Sequence, residues 1–354
     1  KLQEDKSLIL KERIYHMEKK DTKIRTSLHP AEQGNKILRP SPNNISSAAR
    51  SLKQGKLIAF PTETVYGLAA NAMSDQSVAK VFQVKERPSF NPLIIHFHNI
   101  KSAKKFVKFN KHASILAKKF WPGSLTLVLP KKKNCMISLL ASAGLDSLAI
   151  RVPKNKIARE LIKKSGLPIA APSANISGTI SPTTAKHVLQ NLPKNNVKIL
   201  DGGKCKVGIE STIIDLTKKN IFLLRPGGLE ISKIEKILGL KILPHKNTSP
   251  SRPKSPGQMN FHYAPRIPLR INIKRVVPSE ALLSFGKHKY RSFKKELNLS
   301  FRGNLKEAAS NLFKMLHTLD KKKFSSIAVM PIPKKGLGIA INDRLLKASK
   351  RKFS

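Results

Sequence analysis

The sequence predicts an α/β protein built on a sheet of mixed direction. Short apolar runs of strand length recur from Ile37 to about Leu243, each bounded by Gly, Pro, Asn or Ser. Helical patterns fall between only some of these runs, so strands outnumber helices. After a proline-rich break a second, smaller set of strand and helix patterns follows.

In chain order the runs are LIAF (57–60), LIIHF (93–97), LTLVL (125–129), LAIRV (148–152), PIAA (168–171), VKIL (197–200), TIIDL (212–216) and IFLL (221–224). Between the first two lies SDQSVAKVFQVK (74–85), where Val78, Val81 and Phe82 share a helical face behind a Ser74 or Asp75 cap. In KIARELIKK (156–164), Ile157, Leu161 and Ile162 do the same. Residues 244–260 hold four prolines and no acid, the composition of a stiffened linker. Beyond it PLRINI (268–273), LLSFG (282–286) and SIAVMPI (326–332) read as strands. Residues 304–320 give the clearest helix: Leu305, Ala308, Leu312, Leu316 and Leu319 form one stripe, and Asn304 with Glu307 resembles a capping box. An amphipathic segment, 340–350, closes the series. The chain thus divides into a charged, flexible extension (1–36), a main domain (37–243), a linker (244–265) and a small α/β domain (266–354).

Composition narrows the class. Apolar residues make up 40% and charged residues 25%, as in a soluble globular chain, and no apolar run is long enough to span a membrane. Six acids within residues 1–40 argue against an acid-poor transit peptide, and no apolar signal core follows the basic start. Two cysteines, Cys135 and Cys205, give neither a disulfide framework nor a zinc spacing, which suits the reducing cytoplasm. The net charge of +47 favours polyanions, but the lysines scatter through every segment, so a general bias toward lysine explains it equally well.

The phosphate-loop, dinucleotide, zinc-protease and serine-hydrolase motifs are absent, and the scarcity of acids disfavours a paired-carboxylate mechanism. What recurs is an apolar strand flanked by Thr, Ser, Asn, Arg or Lys. Thr62 and Thr64 follow the first run; Lys85, Arg87, Ser89 and Asn91 precede the second; Arg151 sits inside the fourth. Ser173, Asn175 and Ser177 follow the fifth, Ser211 opens TIIDL, and Arg225 ends IFLL. Ligands of open α/β sheets bind at strand ends, and hydroxyls, an amide and cations there suit a small ligand with phosphates, a carboxylate and a carbonyl. Each residue has a plainer reading too. Lys85 fits the end of a helix, Arg87 a surface pair with Glu86 or Glu63, and His96 a satisfied core histidine. Ser173 and Asn175 fit turns, and Thr64 a strand. Arg151, within L-A-I-R-V, calls for an anionic partner or an edge position facing water.

Seven runs also occur in a specific order: PTETVYGL (61–68), KERPSFNPLIIH (85–96), FWPGSLTLVL (120–129), LAIRVP (148–153), APSANISG (171–178), GIESTIID (208–215) and LRPG (224–227). Together they resemble the threonylcarbamoyl-AMP synthase family, the YrdC-like domain, over about 37–240. SPGQM followed by HYAP (255–265) and the GLG, AI and DR of 336–344 resemble its two-domain long members.

The resemblance implies a twisted mixed α/β sheet around a large positively charged cavity, followed by a small C-terminal Rossmann-like α/β domain. It implies L-threonine, bicarbonate or CO2, and ATP as substrates, with Mg2+ bridging phosphates. The product, threonylcarbamoyl-AMP, goes to tRNA threonylcarbamoyl transferase proteins that modify the adenosine next to the anticodon. The threonine site falls on Thr64, His96, Arg151, the Ala171 backbone and Ser211. The ATP site falls on Lys85, Arg87, Asn91, Ser147, Ser173, Asn175, Ser181 and Arg225, with linker residue Tyr263 reaching back; Lys85 and Arg87 are the catalytic pair. The resemblance supplies no metal ligand. A monomer is the default, with RNA contact as a secondary property. The competing reading is a double-stranded RNA or tRNA-binding module without catalysis, which has no need of Arg151, Ser173 or Ser211.

Overall fold

The computed structural model describes residues 34–192, 197–245, 253–258 and 261–351. Nearly all of the charged extension, 1–33, and much of the linker, 246–252 and 259–260, lie outside the described residues.

The first eleven strands join in one sheet. They are β1 (Lys36–Leu38), β2 (Ile58–Phe60), β3 (Gly67–Asn71), β4 (Ile94–His96), β5 (Leu125–Pro130), β6 (Ser147–Arg151), β7 (Ile169–Ala170), β8 (Lys198–Leu200), β9 (Thr212–Asp215), β10 (Phe222–Arg225) and β11 (Leu243–Pro244). Their order is β1-β8-β2-β3-β7-β4-β6-β5-β9-β10-β11. Parallel pairs such as β4 with β6 and β5 with β9 alternate with antiparallel pairs such as β5 with β6 and β3 with β7, so the direction is mixed as expected. The eight predicted runs all form strands of this sheet. β1, β3 and β11 were not legible: GLAAN has too little bulk for a strand signal, and β11 is two residues long.

Helices cover the sheet and aim its loops. The helix Asp75–Lys85 begins at Ser74, whose hydroxyl accepts from the Ser77 amide at 3.2 Å, and buries Val78, Val81 and Phe82. It ends at Glu86 in the left-handed region (φ 51°), which turns the chain so that Arg87 heads inward. The helix Lys156–Ser165 is capped by Asn155 and closes at Gly166 (φ 67°). Pro42–Lys53 escaped the sequence reading because its buried face is Ile45, Ala48, Ala49, Ser51 and Leu52, a stripe diluted by alanine and serine. The main core gathers Leu57, Tyr66, Leu68, Ile95, Leu127 and Ile150 against the helix Asp75–Lys85, while Pro42–Lys53 and Lys156–Ser165 pack together on Ile58, Phe60 and Ala69 in a separate cluster.

The C-terminal domain is α/β, with strands β12 (Leu269–Ile271), β13 (Ala281–Ser284), β14 (Lys295–Asn298) and β15 (Ile327–Val329). Its sheet, ordered β12-β15-β13-β14, is parallel throughout. The helix Leu305–Leu319 starts where expected, with the Asn304 side chain accepting from the Lys306 and Glu307 amides. The capping box itself is modified. Glu307 accepts from the Ser300 hydroxyl at 2.6 Å, and that hydroxyl accepts from the Asn304 amide at 2.9 Å, so the return half passes through Ser300.

The second core is not confined to the second sheet. Val65, Ile180 and Ile209, from loops of the first sheet, pack with Tyr263, Leu312 and Phe313. At Gly208 (φ +78°) a Cβ would come within 2.6 Å of the Ala309 carbonyl oxygen, so only glycine lets the helix Leu305–Leu319 sit this close. The site described next lies at this junction.

Candidate functional site

A cavity lies where the end of β4, the loops around 62–67, 171–173 and 210–211, and the end of β10 converge. The linker closes one side with Pro256, His262 and Tyr263.

One wall centres on Arg151. Register pairs it with His96 across the parallel β4–β6 ladder, which brings two distant motifs side by side. Arg151 is 3% exposed, so its charge needs a partner, and the partner is Glu63. Nη2 donates to Glu63 Oε1 at 2.6 Å, Nη1 to Thr64 Oγ1 at 3.0 Å and Nε to the Gly123 carbonyl at 3.1 Å. The other Glu63 oxygen accepts from the Lys154 and Asn155 amides at 2.8 and 3.3 Å. Burial alone would raise the Glu63 pKa, but Arg151 and these donors hold it below the usual carboxylate value. Arg87 therefore does not pair with Glu63; its Nε and Nη2 donate to the carbonyls of Asn91 and Pro92 at 3.2 and 3.1 Å. Thr62 organises the P-T-E-T turn, accepting from the amides of Thr64 and Val65. His96 is buried against Phe60, and burial followed by the Arg151 charge pushes its pKa down to about 3. Its ring is neutral, and Nδ1 donates to the Ile94 carbonyl at 3.2 Å. Ala171 also lines this side; its amide donates to the Ile94 carbonyl, so a ligand contact falls to its own carbonyl.

The opposite wall collects cations. Lys85, the last residue of its helix, is 1% exposed, and its Nζ donates to the carbonyls of Ser173, at 2.7 Å, and Asn175. The Asn175 amide group donates to the carbonyls of Ile176 and Thr179 and to the Thr179 hydroxyl, fixing this loop. Arg225 Nε and Nη2 donate to the Ser211 carbonyl at 3.1 and 3.0 Å, and Nη2 reaches the Ser211 hydroxyl at 3.2 Å. That hydroxyl also pairs with Thr126 at 2.7 Å. Among the described residues no carboxylate lies within ion-pair distance of Lys85, Arg87 or Arg225. Burial, then the Arg87 charge, drives the Lys85 pKa well below the ordinary value. Arg87 is lowered to about 9 by burial and then Arg225, and Arg225 is lowered chiefly by burial. Three buried basic side chains with no carboxylate in ion-pair reach favour an anion beside them.

The structure therefore brings Thr64, His96, Arg151, Ala171, Ser211, Arg87, Ser173, Arg225 and Tyr263 to one cavity. Lys85 and Asn175 stand behind Ser173, and Asn91 is buried with its carbonyl bonded to Arg87. Ser181 is buried outside the lining, donating to Glu210 at 2.5 Å. Ser147 begins β6, at the opposite end of the strand from Arg151, and does not line the cavity. Sequence reasoning missed Glu63, Glu210, Thr126 and His262. A usable signal existed for the acids, since Glu63 and Glu210 each sit inside a motif of an acid-poor chain.

Metal-ligand geometry offers little for a resident ion. Among the described residues no three His, Cys, Asp or Glu side chains cluster to hold one. The two carboxylates at the site are engaged, Glu63 by Arg151 and Glu210 by Arg344 and Ser181.

The family model described as "Telomere recombination" matches residues 50–227, and the model "Threonylcarbamoyl-AMP synthase, C-terminal domain" matches 229–350. The threonylcarbamoyl-AMP synthase of Pyrococcus abyssi is 41% identical, over 86% of this chain and 94% of that protein. The Bacillus subtilis protein of the same name is 38% identical, over 86% and 92%. The crystal structure of P. abyssi Sua5 complexed with L-threonine superposes with a TM-score of 0.80 at 38% identity, covering 90% of this chain and 98% of that one.

Proposed function

The chain belongs to the threonylcarbamoyl-AMP synthase family, in its two-domain form, and we infer that it joins L-threonine, bicarbonate or CO2, and ATP into threonylcarbamoyl-AMP and pyrophosphate. The observation that carries this reading is the cavity's asymmetry. Arg87 and Arg225 line the cavity, with Lys85 buried behind Ser173, and none of the three has a carboxylate within ion-pair distance among the described residues, whereas Arg151 in the same cavity is paired with Glu63 beside Thr64. A triphosphate suits the first wall and an amino acid the second.

The chemistry follows from the substrates. Threonine's amine adds to bicarbonate or CO2 and gives a carbamate. A carbamate oxygen attacks the α-phosphorus, the bond to the bridging oxygen breaks, and that electron pair leaves on pyrophosphate. Arg151 and Thr64, with Ser211 nearby, hold threonine; neutral His96 and the Ala171 carbonyl border it. Arg87 and Arg225, backed by Lys85, stabilise the charge that grows on the phosphates. Ser173, Asn175, Asn91 and Ser181 shape the nucleotide side; Ser147, expected there, lies at the far end of β6 outside the cavity lining. Mg2+ belongs with ATP's own phosphate oxygens, as part of the substrate, since the carboxylates of the site are engaged. Carbamate and acyl phosphate both hydrolyse readily, so the site must exclude water, and the 244–265 segment serves as its lid. Tyr263 and His262 in the cavity wall support that role.

The product passes to transferase proteins that modify tRNA. No described helix is long and apolar enough to cross a membrane, and we place the reaction, and a monomeric enzyme, in the cytoplasm. The charge of +47 supports RNA contact as a secondary property, read as steep salt dependence. The deciding experiment incubates the protein with ATP, threonine and bicarbonate. Threonine-dependent pyrophosphate release is expected, and its absence from folded protein overturns the reading.

A further inference from the structure

Arg344 lies in the C-terminal helix Gly338–Ser349, yet its guanidinium ends against loops of the first sheet, 0% exposed. Nε donates to Glu210 Oε2 at 3.1 Å, and Nη1 donates to the Pro226 carbonyl and to Asp343 Oδ2 at 2.9 Å. The other Glu210 oxygen accepts from Ser181. The guanidinium carbon sits 5.3 Å from the centre of the Tyr263 ring, which Phe313 stacks at 5.6 Å. One side chain thus grips the carbonyl next to Arg225, the acid that holds Ser181, and the face of Tyr263. All three belong to the nucleotide side proposed above. On the threonine side only Ser211, next to Glu210 and bonded to Arg225, borders this network; among the described residues no hydrogen bond joins Arg344 to Thr64, His96 or Arg151. Arg344 itself does not line the cavity.

On the synthase reading, we propose that Arg344 is a positioning residue for ATP, through which the C-terminal domain sets Arg225, Ser181 and Tyr263 in place.

The chemistry requires a guanidinium. Its donors leave in fixed, diverging directions, whereas an ammonium on a flexible stem cannot meet Glu210, the Pro226 carbonyl and an aromatic face in one geometry. Burial alone would lower the Arg344 pKa; Tyr263, Glu210 and Asp343 outweigh it and raise it above the ordinary arginine value. With Glu210 and Asp343 beside it, Arg344 adds little net charge to the cavity, so its action is geometric. The unusual φ of +67° at Tyr263 fits a ring held by its surroundings rather than by its own backbone preference.

The test uses the full chain with Arg344→Lys, which keeps the charge and loses the fork. Pyrophosphate release is measured with ATP varied at saturating threonine and with threonine varied at saturating ATP; ATP affinity is also read by calorimetry. KM for ATP should rise roughly tenfold or more while KM for threonine stays within about twofold. A structural staple alone would lower the melting temperature and weaken both substrates equally, or neither, and either pattern overturns the proposal. Arg344→Gln provides the same two affinities should the lysine variant not fold. Collapse of both variants would overturn the proposal as well, by placing Arg344 in the core rather than in service of the site. Failure of the synthase reading looks different: the unaltered chain then releases no pyrophosphate, and calorimetry still reports whether Arg344 governs ATP binding.

Discussion

Across the cavity, Arg151 and Arg225 are both buried guanidiniums, but they stand in different company. Arg151 meets a carboxylate, a threonine hydroxyl and a carbonyl within 3.1 Å, so its charge is balanced before any ligand arrives. Arg225 hydrogen-bonds to Ser211 and has no carboxylate within ion-pair distance among the described residues, and its charge helps depress the Arg87 pKa. The contrast suits the two ligands assigned to them. An amino acid is a zwitterion and needs orientation more than charge. A triphosphate brings several negative charges, so a wall left short of acids holds it by neutralisation. Preorganisation marks one side and unmet charge the other.

The strongest way to break that contrast is to remove the balancing acid. Glu63→Ala leaves Arg151 buried without its anion, and unfolding in denaturant should show a loss of about 3–5 kcal/mol. If stability barely changes, the Arg151 wall is not held by that pair. Arg87→Ala is the converse. It removes a buried cation beside Arg225 together with the donor to the Asn91 and Pro92 carbonyls, effects that oppose each other, so turnover of ATP should fall about a hundredfold while the melting temperature changes little. Lys85→Ala separates support from charge, because its Nζ also holds two carbonyls of the Ser173–Asn175 loop; activity and melting temperature should fall together. A fall in activity alone would assign Lys85 to the phosphates only.

Smaller effects sharpen the comparison. His96 takes up a proton near pH 3 in the folded chain and near 6.5 when exposed, chiefly because burial and then Arg151 disfavour the charged ring. Between those values the unfolded state binds more protons. His96's contribution is therefore complete above about 6.5 and fades as pH falls toward 3. His96→Gln should flatten the loss of stability between neutral pH and about pH 5, read from paired urea titrations; an unchanged slope would mean the ring is not held neutral. The mildest test adds inorganic pyrophosphate. It should compete with ATP yet leave threonine affinity within about twofold, and equal competition with both would erase the distinction between the walls.

The legible parts of this molecule share a property. LTLVL, LAIRV and TIIDL each announce a strand because their own side chains carry the pattern, and the Ser74 and Asn304 caps sit within three residues of the amides they meet. Segments whose bulk is small, such as GLAAN and the alanine-bearing face of Pro42–Lys53, form regular structure through their neighbours and leave little trace in sequence. The site was legible as types of residue. Thr64, His96, Arg151, Ser211, Arg87, Ser173 and Arg225 do converge. Their partners were not legible: Arg151 waits on Glu63, 88 positions away, and Lys85 on carbonyls of a loop 88 and 90 positions away.

By itself, then, the sequence determined the α/β class, most of the strands, the motif set of the family and the cationic, hydroxyl-rich chemistry at the strand ends. Tertiary structure alone decided which charges are balanced and which are left for a ligand. It also decided that Arg344 of the last helix reaches Glu210 and Tyr263. Periodicity records which face of a segment is buried, a local matter of side-chain direction. Ion pairing in a buried site depends on which segments become neighbours and on the few tenths of an ångström that make a hydrogen bond, and no local pattern encodes those.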